Sequence, residues 1–126
     1  MKYIIAGGRN FNNRAILEKV CNSFTDIDTV ISGCAQGADT IGAEWAAKKG
    51  IALQTFPAYW DVYGKSAGFI RNAEMGEHAD CAIVFWDGKS KGSKHMIKTM
   101  KYLRKQCYVY DYNGKLYDPN NSRSNS

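Results

Sequence analysis

No apolar run in this sequence approaches the ~20 residues that a membrane helix needs, so no spanning helix is expected. The N-terminal residues read as a strand rather than a signal-peptide layout, and the expected location is cytoplasmic. No C-x-x-C pair occurs among the four cysteines, Cys21, Cys34, Cys81 and Cys107. Most of them sit in apolar stretches, which reads as free, mostly buried thiols in a reducing compartment. The two histidines, His78 and His95, have no Cys/Asp cluster at ligand spacing beside them, so no structural metal is expected. The fingerprint G-x-G-x-x-G is missing as well, which argues against ordinary NAD redox binding, and no cofactor is expected. The chain contains no internal repeat.

What remains is a globular composition: 126 residues, 44% hydrophobic and 23% charged, enough for one domain with an ordinary core. The net charge of +5 permits an anionic partner without naming one. Much of the excess lies on Lys91, Lys94, Lys98, Lys101 and Lys105, which recur at helical steps and form one stripe. A solvated outer face and a nucleic-acid contact surface both fit that stripe; at most weak nucleic-acid binding is expected.

Three glycine-rich segments stand where a strand-like run gives way to a helix-like one. They are Gly7-Gly8-Arg9-Asn10-Phe11, Ser32-Gly33-Cys34-Ala35-Gln36-Gly37-Ala38-Asp39 and Asp87-Gly88-Lys89-Ser90-Lys91-Gly92-Ser93. Glycine there lets backbone approach a ligand, and the following helix aims its free N–H groups at the same point. Ordinary tight turns would account for one such loop; three together read as a pocket for a phosphate-bearing ligand.

The run of elements alternates. Strands are expected over 2–6, 29–32, 52–56, 81–86 and 107–110, and helices over about 14–24, 37–48, 66–77 and 92–105. This order predicts a Rossmann-like, doubly wound α/β fold. Its five-stranded sheet should be mostly parallel, with helices on both faces. Asn113-Gly114 predicts a short C-terminal hairpin between Tyr110-Asp111-Tyr112 and Lys115-Leu116-Tyr117. The domain should span 1–117, with a disordered tail over 118–126. If the first and fourth strands are neighbours, the three loops converge at the strand carboxyl ends.

The loop Ser32-Gly33-x-Ala35-x-Gly37-x-Asp39 resembles that of the SLOG superfamily, which joins the Smf/DNA-processing protein A and Lonely Guy groups. The finer resemblance is to its small YspA-like branch. It is carried by Gly7-Gly8-Arg9-x-Phe11, Pro57-Ala58-x-Trp60, Gly64-Lys65-x-Ala67-Gly68-x-x-Arg71-Asn72 and Phe85-Trp86-Asp87-Gly88-x-Ser90-x-Gly92. The resemblance implies a Rossmann-like fold, a nucleotide-derived ligand and, by analogy, a homo-oligomer. Lonely Guy phosphoribohydrolases pair an Arg with a Glu after their glycine loop. Arg71 matches the Arg, and would be catalytic in an enzyme, but Met96 stands at the Glu position. Glycosidic cleavage needs a carboxylate near the anomeric carbon, and methionine offers none.

The expected ligand-binding residues are Gly8, Arg9, Ser32, Gly33, Ala35, Gly37, Asp39, Arg71, Asn72, Asp87, Gly88, Ser90, Gly92 and Ser93. Asp39 reads either as a partner for a ribose hydroxyl or as a stabilising first-turn acid. Tyr59, Trp60 and Tyr63 could stack a base or pack as structure. The leading expectation is a sensor or sequestering protein for a nucleotide-derived small molecule, of the ADP-ribose or nucleoside-phosphate kind. The alternatives are a nucleoside 5′-monophosphate phosphoribohydrolase, with another acid in place of the Glu, and a nucleic-acid-binding module like DNA-processing protein A.

Overall fold

A computed structural model describes residues 1–117. The expected tail over 118–126 lies outside the described residues. The strands are β1 (Lys2–Gly7), β2 (Thr29–Ser32), β3 (Ala52–Thr55), β4 (Cys81–Phe85) and β5 (Gln106–Tyr110). They form one sheet in the order β3-β2-β1-β4-β5, and every neighbouring pair is parallel. β1 and β4 are therefore adjacent, and the strand order reverses between these two. That is the switch point at which ligands of such sheets lie.

The helices are α1 (Arg14–Asn22), α2 (Ala38–Lys49), α3 (Trp60–Tyr63), α4 (Ala67–His78) and α5 (Lys91–Tyr102). β4 is buried along its whole length, as a central parallel strand covered on both faces must be. The core has two layers. On one face, Leu17 and Val20 of α1 and Ile41 and Trp45 of α2 pack with Tyr3, Ile5 and Ile83. On the other, Met75 of α4 and Met96 and Met100 of α5 pack with Ile4, Ile31 and Val84.

Two local differences from the sequence expectation have physical causes. The segment read as a loop before α4 contains the single turn α3 and a 3-10 turn, Gly64–Ser66. α5 stops at Tyr102, because Arg104 adopts a left-handed φ of 60°. Lys105 thereby leaves the lysine stripe, and its Nζ donates to the carbonyls of Gly76, Glu77 and Ala79 at 2.7–3.1 Å. It closes the carboxyl end of α4, where a cation is favoured. The expected short C-terminal hairpin is present, with one antiparallel bridge, Tyr110 to Leu116, among the described residues. The Asp111 carboxylate takes the N–H groups of Asn113 and Lys115, so the chain turns tightly.

Candidate ligand cavity

A cavity of about 430 Å³ opens at the carboxyl ends of β1 and β4, in the ordinary range for small-molecule sites. Gly8 and Arg9 border it from the loop after β1, Ala35 from the loop after β2 and Asp39 from the first turn of α2. Arg71 and Asn72 enter from α4, and Ser90, Gly92 and Ser93 from the start of α5. A second hollow of about 340 Å³ lies across Arg71, bordered by Gly33 and Cys34; Arg9, Ala35 and Trp60 border both spaces.

Asn72 organises the wall. Its Oδ1 accepts from Arg71 Nε at 3.0 Å. A guanidinium N–H can only donate, so the other end of the amide is the donor. Asn72 Nδ2 lies 3.2 Å from the Gly92 carbonyl and 3.2 Å from His95 Nδ1. His95 Nδ1 is thus the acceptor, and burial lowers the His95 pKa, which suits a neutral ring. Phe69 stacks on that ring with centroids 4.4 Å apart. Arg71 Nη1 donates to the Gly33 carbonyl at 2.5 Å. One arginine and one asparagine therefore tie the β2 loop to the α5 loop.

Asp39 is the one acid bordering the cavity among the described residues. Its burial pushes the carboxyl up to about 6, against the pull of Arg71 and of backbone hydrogen bonds at Ala35, Gly33 and Gly7. Three cations, Arg9, Lys65 and Arg71, border the same space. At the start of α5, Ser90 Oγ caps the Ser93 N–H at 3.4 Å. Nothing lies within 4 Å of a Cβ built on Gly92, so this helix start faces open space.

Several expected residues line neither space. Ser32 is buried; its Oγ accepts from the Cys34 N–H at 3.2 Å and donates to the Asp39 carbonyl at 3.5 Å. Gly37 packs against the Gly8 carbonyl, where any Cβ would collide. Asp87 accepts from the N–H groups of Lys89 and Ser90, both at 2.8 Å, which holds its carboxyl below the usual range. Gly88 makes the turn with a φ of +84°. Tyr59 and Tyr63 are exposed and border neither space, whereas Trp60 borders both. Asn10, Gly68, Phe69 and Met75 line the cavity without having been expected to. The spacing of Phe69 and Asn72, three apart on one helix, was the available signal for Phe69. Met96 is buried and lines the cavity.

A parallel sheet with helices on both faces and a cavity over its switch point defines a Rossmann-like α/β domain. The chain belongs to the YspA, cpYpsA-related SLOG family, whose model matches residues 1–63. That match takes in the first two glycine loops and Trp60 and ends before Arg71. The chain is similar to the Gene 61 protein of Mycobacterium phage D29, 36% identical over 75 residues, or 55% of this chain. It spans 60% of that relative's length. Its fold is similar to that of DNA processing protein A from Streptococcus pneumoniae, with a TM-score of 0.71 at 17% identity. That likeness covers 86% of this chain and 49% of the other. Among the described residues no helix is long and apolar enough to cross a membrane, and no group of three or more His, Cys, Asp or Glu side chains gathers as metal ligands would.

Proposed function

We propose that this protein binds a nucleotide-derived small molecule, of the ADP-ribose or nucleoside-phosphate kind, and acts by binding it, as a cytoplasmic sensor or sequestering protein. The family includes nucleotide- and DNA-binding members, which agrees with the reading without selecting the ligand. One observation carries it: three cations, an open helix start and an aromatic ring, Trp60, border a single cavity. The α5 start offers N–H groups and a positive dipole end to a phosphate. Arg71 offers a guanidinium already held by Asn72 and suited to bidentate contact. Trp60 offers a face for a base. The second hollow beyond Arg71 gives room for a ligand with two polar ends.

Binding without turnover follows from Met96. Substrate docked against an apolar thioether gains binding energy that does not favour the transition state. An N-glycosidase reading has one observation in its favour, the carboxyl of Asp39 near pH 6 beside Arg71 in the cavity. Two measurements separate these. Mass spectrometry of small molecules released from the purified, denatured protein should find a nucleotide-derived anion. Release of free base from nucleoside monophosphates should be slow or nil in the wild type and rise in Met96→Glu. Wild-type turnover above about 1 s⁻¹, within the ordinary enzyme range, would overturn the binding reading and send the search to Asp39.

A further inference from the structure

A second concave site runs along the edge of β5, beside α5, with a volume of about 570 Å³. It shares no lining residue with the ligand cavity. α5 turns Ser93 and Met96 toward the cavity, and Lys94, Ile97, Lys98 and Lys101 toward this groove. Among the described residues the groove carries charge of one sign: four lysines border it and no carboxylate does. Lys105 is held by the α4 carbonyls. Lys94, Lys98 and Lys101 are exposed and form no salt bridge among the described residues. Steps of four and three place them along one helix face over about 10 Å. Ile97, Val109, Leu116 and Tyr117 supply apolar surface beneath and opposite them.

The sheet edge offers a second feature. The Tyr110 carbonyl accepts from the Trp86 N–H, so it points toward β4. The Val109 carbonyl accepts from the Tyr117 N–H at the other side, so it points outward. Main-chain direction alternates along a strand, which turns the Cys107 N–H and C=O outward too. Among the described residues the antiparallel cover of β5 reaches only Tyr117, opposite Val109. Such an edge is a template for another strand.

We propose that this groove binds an extended acidic peptide segment of a protein partner. The segment adds to the β5 edge at Cys107. Its carboxylates, at alternate positions, face Lys94, Lys98 and Lys101, and its apolar side chains meet Leu116 and Tyr117. Alternate residues of a strand lie about 6–7 Å apart, close to the 4.5–6 Å rise between successive lysines on the helix. Charge alone would suit single-stranded nucleic acid equally. The outward main-chain donor and acceptor at Cys107 and the aliphatic floor suit another main chain better.

The test is fluorescence anisotropy of a labelled alternating Glu-Val peptide against the full chain, with labelled oligo(dT) at the same salt. Saturable peptide binding is expected. It should weaken by at least about tenfold, or 1.4 kcal/mol, when Lys94→Glu, Lys98→Glu and Lys101→Glu are combined, with the melting temperature unchanged. The same peptide N-methylated at alternate residues cannot pair with the edge and should bind at least about tenfold more weakly. Absence of saturable binding up to about 1 mM, or indifference to the lysine reversal, would overturn the proposal. So would equal binding of the N-methylated peptide, or tighter binding of oligo(dT).

Discussion

The two glycine loops after β2 and β4 look alike in sequence, and the fold uses them in opposite ways. The β2 loop is closed by its own neighbours. A Cβ on Gly33 would lie 2.7 Å from Arg71 Nη1 and 2.9 Å from Asp39 Oδ2, and one on Gly37 would lie 2.2 Å from the Gly8 carbonyl. The α5 loop is open: nothing lies within 4 Å of a Cβ on Gly88 or Gly92. Glycine thus serves interior packing in one loop and access in the other. A phosphate has room at the start of α5, while Gly33 and Gly37 fix the wall that holds Arg71 and Asp39 in place.

Paired substitutions break that comparison most sharply. Gly37→Ala must place a Cβ against the Gly8 backbone at a φ of 79°. Strain and overlap together should cost about 2–6 kcal/mol. Gly92→Ala, in the first turn of α5 with open space around it, should leave stability unchanged or raise it by up to about 1 kcal/mol. Urea unfolding of both variants checks this; equal effects would erase the distinction.

Arg71→Ala asks whether the arginine serves ligand or loop. It is expected to lose about ten- to a hundredfold in nucleotide affinity, or roughly 1.5–3 kcal/mol, because a charge-assisted contact is removed. Calorimetric titration measures it. A variant that unfolds while keeping its affinity per folded molecule would make Arg71 structural.

A smaller effect should appear in the pH dependence of Asp39. Its folded carboxyl titrates near 6, above its ordinary 3.8. Between those values the folded chain holds a proton that the unfolded chain has released, so stability falls as pH rises through the window. The loss is complete above about 6. Relative to Asp39→Asn, the wild type should lose at most about 1.4 kcal/mol per pH unit there. Parallel pH profiles of the two proteins, with a stability difference that does not change across this window, would contradict the assignment.

Much of this architecture was legible because alternation of apolar runs and glycine turns is a local signal. The parallel core follows from it; the adjacency of β1 and β4, only a condition in the sequence, is supplied by the fold and brings Arg71 and Asn72 to Ser90, Gly92 and Ser93. What stayed hidden depends on contacts distant in sequence. Lys105 reads as one more lysine of a helical stripe until Arg104 ends the helix and α4 presents its carbonyls. Asp87 and Ser32 read as ligand partners, and nothing in the sequence pattern shows that Asp87 Oδ1 also takes the Lys89 and Ser90 N–H groups or that Ser32 Oγ takes the Cys34 N–H. Phe69 and His95 lie on different helices, so the stack between them has no sequence pattern.

The central claim is that the open α5 loop and Arg71 form the receptor for a nucleotide anion. The most direct test is the unfolding free energy of ligand-free protein in AMP, ADP-ribose, cyclic ADP-ribose and dinucleotides. At least one should add about 2.7 kcal/mol at a hundred times its Kd, and that gain should shrink in Arg71→Ala. Protein shown to be free of ligand whose stability is unmoved by every one of them would contradict the account.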